Sequence, residues 1–260
     1  EGNWFEPKEV VLRVSGKYRS FGLYETAILG MLASGTGWAT AAAACVEAAG
    51  EVPVISFGAR HIHPDVSGRM EYAAIVGGCS GCATPAGAER AELETSGTIP
   101  HALILAMGDT LAATEAFDRH IDPEVKRIAL VDTFRDEAEE SLRVAERMGE
   151  RLWGVRLDTP SERGGVTIGL VEEVRARLDR AGHGEVKIVV SGGLDPERIA
   201  HFRESGAPVD AFGVGSAISG AAAIDFTADI KEVDGRAVAK RGRIPGITEN
   251  RRLRRLELEG

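Results

Sequence analysis

The chain has 260 residues, 43% hydrophobic and 27% charged, and its 31 basic and 40 acidic side chains leave a formal net charge of −9. That balance excludes a general attraction to nucleic acid or to an anionic membrane surface, so any anion site is local. Three cysteines are too few for a disulfide scaffold. No apolar run approaches the roughly 20 residues of a membrane helix, and the N-terminus lacks the basic-then-apolar order of a secretory signal. The expectation is a cytoplasmic protein.

Taken from the N-terminus, Val10-Val11-Leu12-Arg13-Val14 reads as a short strand, and Tyr24–Ala33 and Ala39–Ala49 read as helices, the second alanine-rich. Val54-Ile55-Ser56-Phe57 is a strand, and Cys82–Thr84 is placed in a further one. From Arg127 the pattern alternates β-branched runs with amphipathic stretches, as βα units around a parallel sheet do. Ile128–Val131 precedes a helix over 136–148, Leu152–Val155 precedes one over 167–181, and Ile188–Val190 precedes one over 196–205. Val209–Val214 follows as the last strand. Beyond it, Asp229–Val233 and Ala237–Ala239 flank an Asp234-Gly235 turn, the signature of an antiparallel hairpin. The fold class read from this order is α/β: an irregular barrel of about six parallel strands with a partial α/β side domain built from both chain ends. Residues 1–50 with 222–245 form the side domain and its connecting helices, 51–221 the barrel, and 246–260 a basic tail. That tail is either a solvated helix face or a contact for an anionic partner.

Polar residues gather where these strands end. Ser191-Gly192-Gly193 and Gly213-Val214-Gly215-Ser216 leave backbone N–H groups open to a phosphate with no Cβ in the way. Asp132 and Asp158 follow two other strands; each could hold Mg²⁺, accept from ribose hydroxyls, or cap the next helix. Arg156 shares a strand face with Asp158 and would meet a diphosphate, an aromatic ring or that Asp itself. Thr98 reads as the cap of a helix over 102–107, with His101 in its first turn. Phe57 could stack on a planar ring while Arg60 meets a carboxylate or phosphate. His61 and His63 have no nearby carboxylate or thiol to complete a metal set, so they read as surface or hydrogen-bonding residues. Cys79-Ser80-Gly81-Cys82 has the spacing of a metal knuckle but no second pair, and buried thiols are the alternative.

Seven segments in register, among them Phe21–Thr26, Ser56–Arg60, Gly97–Ala102, Leu130–Phe134, Gly154–Thr159, Ser191–Leu194 and Phe212–Gly215, resemble the nicotinate phosphoribosyltransferase family, in its shorter archaeal and bacterial branch. The resemblance leaves out the family's N-terminal segment, which offers an aromatic residue across a dimer interface. It implies a type II phosphoribosyltransferase fold and the conversion of nicotinate and phosphoribosyl diphosphate to nicotinate mononucleotide and diphosphate, with ATP as co-substrate and Mg²⁺ near Asp158. By that resemblance His101 is transiently phosphorylated, Asp132 supports it, and Asp158 contacts the ribose or its metal. Phe57, Arg60, Thr98 and Arg156 bind nicotinate, and Gly192, Gly193, Gly215 and Ser216 hold the 5′-phosphate. It also implies a homodimer or larger homo-oligomer with shared sites and no nucleic-acid or membrane partner. The alternatives are the decarboxylating quinolinate enzyme, which shares the architecture, needs more cations for a second carboxylate and has no use for a phosphorylated His, and a noncatalytic phosphosugar- or nucleotide-binding homologue.

Overall fold

Residues 1–93 and 98–256 are described by the computed structural model, and they divide into two units, 1–34 with 223–260 and 35–222. In the first unit the two chain ends are tied to each other. Asn250 donates to Glu9 and to the Val10 carbonyl at 2.9 Å, Arg252 pairs with Glu9 and donates to the Trp4 carbonyl, and the Phe5 and Phe226 rings stand 5.6 Å apart. The hydrogen bond from Arg252 holds the Glu9 carboxyl below its ordinary range. The run Val10–Val14, expected as a strand, has none: its backbone is irregular and anchored through Glu9 and Asn250. Nor is the basic run 251–256 a helix face, because Arg251 and Arg252 form a turn whose Arg252 pairs with Glu9; residues 257–260 lie outside the described part. The hairpin does form, from Glu232–Val233 and Arg236–Ala237, with Asp234 and Gly235 both at positive φ (49° and 75°) as a primed turn requires.

A short helix, α1 (Tyr18–Phe21), and one 3₁₀ turn lead into α2 (Glu25–Ala49), which carries the chain into the second unit. The expected break between Ala33 and Ala39 is absent. The whole stretch Tyr18–Ala49 is 32 residues with an 18-residue window of mean hydropathy 1.3, long and apolar enough by length and composition to cross a membrane. This corrects the expectation that no run approached that length. Ala42, Cys45 and Ala49 on its C-terminal half lie in the core of the second unit, as in the core helix of a globular domain.

The second unit is built on parallel strands β1 (Val54–Ser56), β2 (Gly81–Cys82), β3 (Arg127–Leu130), β4 (Leu152–Leu157), β5 (Lys187–Val190) and β6 (Ala211–Val214). They form one curled six-stranded sheet in the order β2-β1-β6-β5-β4-β3. That order is chain order around a ring, cut between β2 and β3, so the unit is a half-open barrel. After β1 come α3 (Pro64–Val76) and, past β2, α4 (Pro85–Arg90); α5 (His101–Met107) and α6 (Thr110–His120) follow before β3. Ile104 and Ala113 of α5 and α6 pack with Leu130, covering the β3 edge that β2 leaves open. The remaining connections are α7 (Glu137–Met148), α8 (Ile168–Arg180), α9 (Pro196–Glu204) and α10 (Ser216–Ser219), with β7 and β8 the hairpin strands of the first unit. Asp136, Thr167 and Asp195 cap α7, α8 and α9 through their side chains.

Alternation along the strands sorts the two faces. Val155, Leu157, Ile188, Val190, Phe212 and Val214 join the large core beneath the helices, whereas Ile55, Ile128, Val189 and Ala211 form a small cluster with Phe57 and Trp153 on the other face. A register shift between Arg127 and Ile128 absorbs Trp153, after which Val155 pairs with Ile188 and Arg156 with Val189.

The tightest helix contact is at Gly77, the C-cap of α3. A Cβ there would overlap the Ala39 carbonyl oxygen and sit 2.9 Å from the Ala42 Cβ. Gly77→Ala is expected to destabilise the second unit by about 1–3 kcal/mol, read as a lower urea midpoint, because backbone cannot yield as a side chain would.

Candidate functional site

All six strands run the same way, so their C-terminal ends share one rim, the end where such folds collect their chemistry. Period-2 alternation then decides which side chains meet. Continuing from Ile55, Ile128, Val189 and Ala211, the residues of the inner face at the rim are Phe57, Asp132, Ser191 and Gly213, and Arg156 and Asp158 fall in phase with them.

Arg156 is the hub. It donates to Asp158 Oδ2 at 3.0 Å and to the Thr98 hydroxyl, and its guanidinium lies 5.5 Å from the Phe57 ring centroid. Asp158 Oδ1 accepts from Ser191 Oγ at 2.7 Å. Arg156 Nε is buried and has no partner among the described residues. The Phe57 ring packs against Gly213, where a Cβ would collide with it. Thr98 therefore does not cap α5, whose N-cap is Pro100 without a side-chain bond; it is held by Arg156 instead. Gly97, from the same motif, lies outside the described residues.

His101 Nε2 meets both Asp132 oxygens, at 3.0 and 3.1 Å. The Asp132 side chain is buried and that of His101 is 39% exposed, so the ring opens to the rim with a carboxylate fixed behind it. Asp132 caps nothing, since α7 begins at Glu137 with Asp136 as its cap. Asp158 likewise precedes α8 by too far to cap it.

The two glycine loops differ in how they are held. Gly192 and Gly193 have φ of +92° and +61°, a region that favours glycine, and Arg198 binds both their carbonyls at 3.1 and 3.0 Å. Gly215 precedes α10, with Ser216 as its first residue. Arg60, exposed at the rim, donates from Nε to His61 Nε2 at 3.3 Å, and His61 Nδ1 lies 3.4 Å from Ser219 Oγ in α10.

The sequence reading thus named most of the rim and read His61 as a surface or hydrogen-bonding residue, which it is, but it gave the Ser191 side chain no role and did not identify Ser219 as the partner of His61. The position of Ser191 one step past an inward-facing Val189 was the signal for the first. Nothing local signals the second, because the partner of His61 is 158 residues away. The thiols of Cys79 and Cys82 are buried, and among the described residues no group of three or more His, Cys, Asp or Glu is placed to hold a metal ion. Burial pushes the Cys79 thiol up to about 12 and those of Cys45 and Cys82 to about 11.

Family models for the quinolinate phosphoribosyl transferase C-terminal and N-terminal domains match residues 38–229 and 1–35. A solved nicotinate-nucleotide pyrophosphorylase from Pyrococcus furiosus is 50% identical with a TM-score of 0.80, covering 89% of this chain and 59% of that one. NadC from Streptococcus pyogenes, at 22% identity and a TM-score of 0.67 over 87% of this chain and 70% of its own, shares the fold. Among curated relatives, nicotinate phosphoribosyltransferase pncB2 of Mycobacterium tuberculosis (strain ATCC 25618 / H37Rv) is 32% identical over 90% of this chain and 51% of its own length. The chain spans about half the length of that relative. The domain models overturn the resemblance to the nicotinate phosphoribosyltransferase family, and with it the nicotinate reaction, the phosphorylated His101 and the ATP co-substrate. The physical reason is that six of the seven motifs are strand-end and loop segments of the half-barrel, a framework that does not by itself fix which ring acid is taken.

The buried thiols give a pH dependence. Unfolded thiols ionise near 9 while the folded ones stay protonated, so their contribution to stability is complete below about pH 9 and is lost as pH rises toward 11 to 12. Urea midpoints should fall over that range, and less so in a Cys45→Ala/Cys79→Ala/Cys82→Ala variant. At about pH 8 a thiol reagent should titrate none of the three until urea is added.

Proposed function

The chain belongs to the quinolinate phosphoribosyl transferase family, and from that premise we propose that the complete protein moves the phosphoribosyl group of phosphoribosyl diphosphate onto quinolinate. Carbon dioxide is lost, and nicotinate mononucleotide and diphosphate are formed. The observation that carries this reading is the match of both domain models along the chain, joined to a rim of glycine loops, carboxylates and cations.

In this reading Gly192, Gly193, Gly215 and Ser216 take the 5′-phosphate, whose oxygens need N–H donors and close backbone approach. The pyridine ring nitrogen attacks the ribose carbon as diphosphate departs, and Asp158 stabilises the positive charge that develops on the sugar. Arg60, Arg156 and His101 meet the two carboxylates of the pyridine. The unpartnered Arg156 Nε–H is a donor that a carboxylate would satisfy, and the Nδ1 of His101 has no partner among the described residues. Phe57 acts mainly as the platform under Arg156, and Thr98 fixes that guanidinium from the other end. Asp132 orients His101. The carboxyl group adjacent to the ring nitrogen leaves as carbon dioxide once that nitrogen is positively charged, and the carbon takes a proton.

Mg²⁺ is the expected metal, supplying charge neutralisation to the departing diphosphate. Asp158, whose two oxygens accept from Arg156 and Ser191, is the rim carboxylate that would help to hold such an ion. A homodimer or larger homo-oligomer with shared sites belongs to the same proposal, and light scattering of the complete protein would test it.

The reaction is tested with carboxyl-labelled quinolinate, phosphoribosyl diphosphate and Mg²⁺ in the absence of ATP. Label should appear as carbon dioxide with one diphosphate per turnover; turnover of nicotinate with none of quinolinate would overturn the reading. Asp158→Asn should lower kcat about 100-fold, the scale of losing one preorganised electrostatic contact to a transition state, and should also lower the thermal midpoint, because Arg156 loses the carboxylate that pairs it.

A further inference from the structure

The loop after β1 and the loop after β6 are locked together. Phe57 N–H donates to the Val214 carbonyl at 2.7 Å. A Cβ on Gly58 would stand 3.0 Å from the Ser219 Cβ and 3.2 Å from the Gly215 oxygen, and a Cβ on Gly215 would stand 2.8 Å from the His61 Cε1. Two glycines facing each other thus let residues 57–61 close over residues 215–219, and His61 fills the gap.

Its hydrogen bonds run in one consistent direction. Ser219 Oγ donates its single hydrogen to the Gly215 carbonyl at 3.2 Å. With that hydrogen on Gly215, the same oxygen, 3.4 Å from His61 Nδ1, is free to accept a ring hydrogen there. Arg60 Nε can only donate, and it meets His61 Nε2 at 3.3 Å, which must therefore be bare. The Arg60 contact selects the neutral tautomer with Nε2 accepting and Nδ1 protonated, and the Ser219 contact, with its hydroxyl hydrogen on Gly215, fits it. The chain of bonds joins a rim guanidinium to the backbone of the β6 glycine loop.

We infer that His61, in its Nδ1–H tautomer, is a positioning residue that couples Arg60 to the Gly215 carbonyl, so that the grip on the pyridine carboxylate and the grip on the 5′-phosphate are set together. The roles of Arg60 and Gly215 rest on the proposed quinolinate reaction; the tautomer and the chain of bonds do not. Ser219 acts in the same chain through the hydroxyl it holds between His61 and Gly215. Loss of either member frees Arg60 from the β6 loop.

The ligand-free protein with isotope-labelled histidine reads the tautomer directly. Long-range proton–nitrogen correlation, with the His61 signals identified by their loss in His61→Gln, should show the hydrogen on Nδ1; a hydrogen on Nε2 would overturn the inference. With quinolinate as substrate, His61→Ala should raise KM for both quinolinate and phosphoribosyl diphosphate about 5-fold, with kcat nearly unchanged. Ser219→Ala should do the same, and the double variant should be no worse than either single one. Additive losses, or an effect confined to one substrate, would overturn the coupling. Because the tautomer is read without turnover, failure to convert quinolinate would count against the reaction and leave the tautomer to decide the bond chain.

Discussion

The pairing of Arg156 with Asp158 on the inner face of the half-barrel is the constraint on which the rim depends. The two side chains are 14% and 22% exposed, so each charge is largely withdrawn from water and would be costly alone. Paired, they leave further valences that recruit the neighbours: Thr98 on one side of Arg156, Phe57 beneath it, and Ser191 on the far oxygen of Asp158. One ion pair on β4 thereby fixes the ends of β1 and β5 and the segment that leads into α5. The partners are two residues apart on one strand, so the geometry follows from the pleat and requires no strained backbone.

The opening of the ring between β2 and β3 gives the rim its asymmetry. With a β2 of only two residues, there is too little ladder to close against β3. The intervening chain instead packs α5 and α6 across the β3 edge. That detour brings His101 to Asp132 at the end of β3. On the opposite side, β1 and β6 are neighbours, and their loops meet through Gly58, His61 and Gly215. The two histidines thus arrive from a helix start and a 3₁₀ turn, and strand ends supply the carboxylates.

Much of this was legible in the sequence because it is local. The βα alternation from Arg127 onward, the helices at 137–148, 168–180 and 196–204, and the Asp234-Gly235 hairpin follow from periodicity and turn chemistry. The shared face of Arg156 and Asp158 needed only the two-residue repeat. Misreadings fell where local signals were weak or ambiguous. Val10–Val14 has strand composition but no ladder to join, and the Gly35-Thr36-Gly37 stretch was passed over as helix, although the helix runs through it with Gly37 buried. Thr98 looked like a cap because Thr before a helix commonly is one, yet Arg156 competes for its hydroxyl. The choice between two related families was the largest misreading, since the conspicuous glycine and carboxylate motifs mark strand ends of the half-barrel and do not by themselves separate the two.

By itself, the sequence determined the α/β class, the strand-end placement of Asp132, Asp158 and the two glycine loops, and the phase that turns Arg156 and Asp158 to one side, all of which depend on neighbours within a few residues. Only the tertiary structure decided that the ring stays open between β2 and β3, that Asp132 stands behind His101, that Ser191 completes Asp158, and that His61 faces Ser219. Those contacts join residues 31, 33 and 158 positions apart. Their formation rests on the curl of the sheet and the close approach of glycine backbones, quantities that no short window of sequence contains.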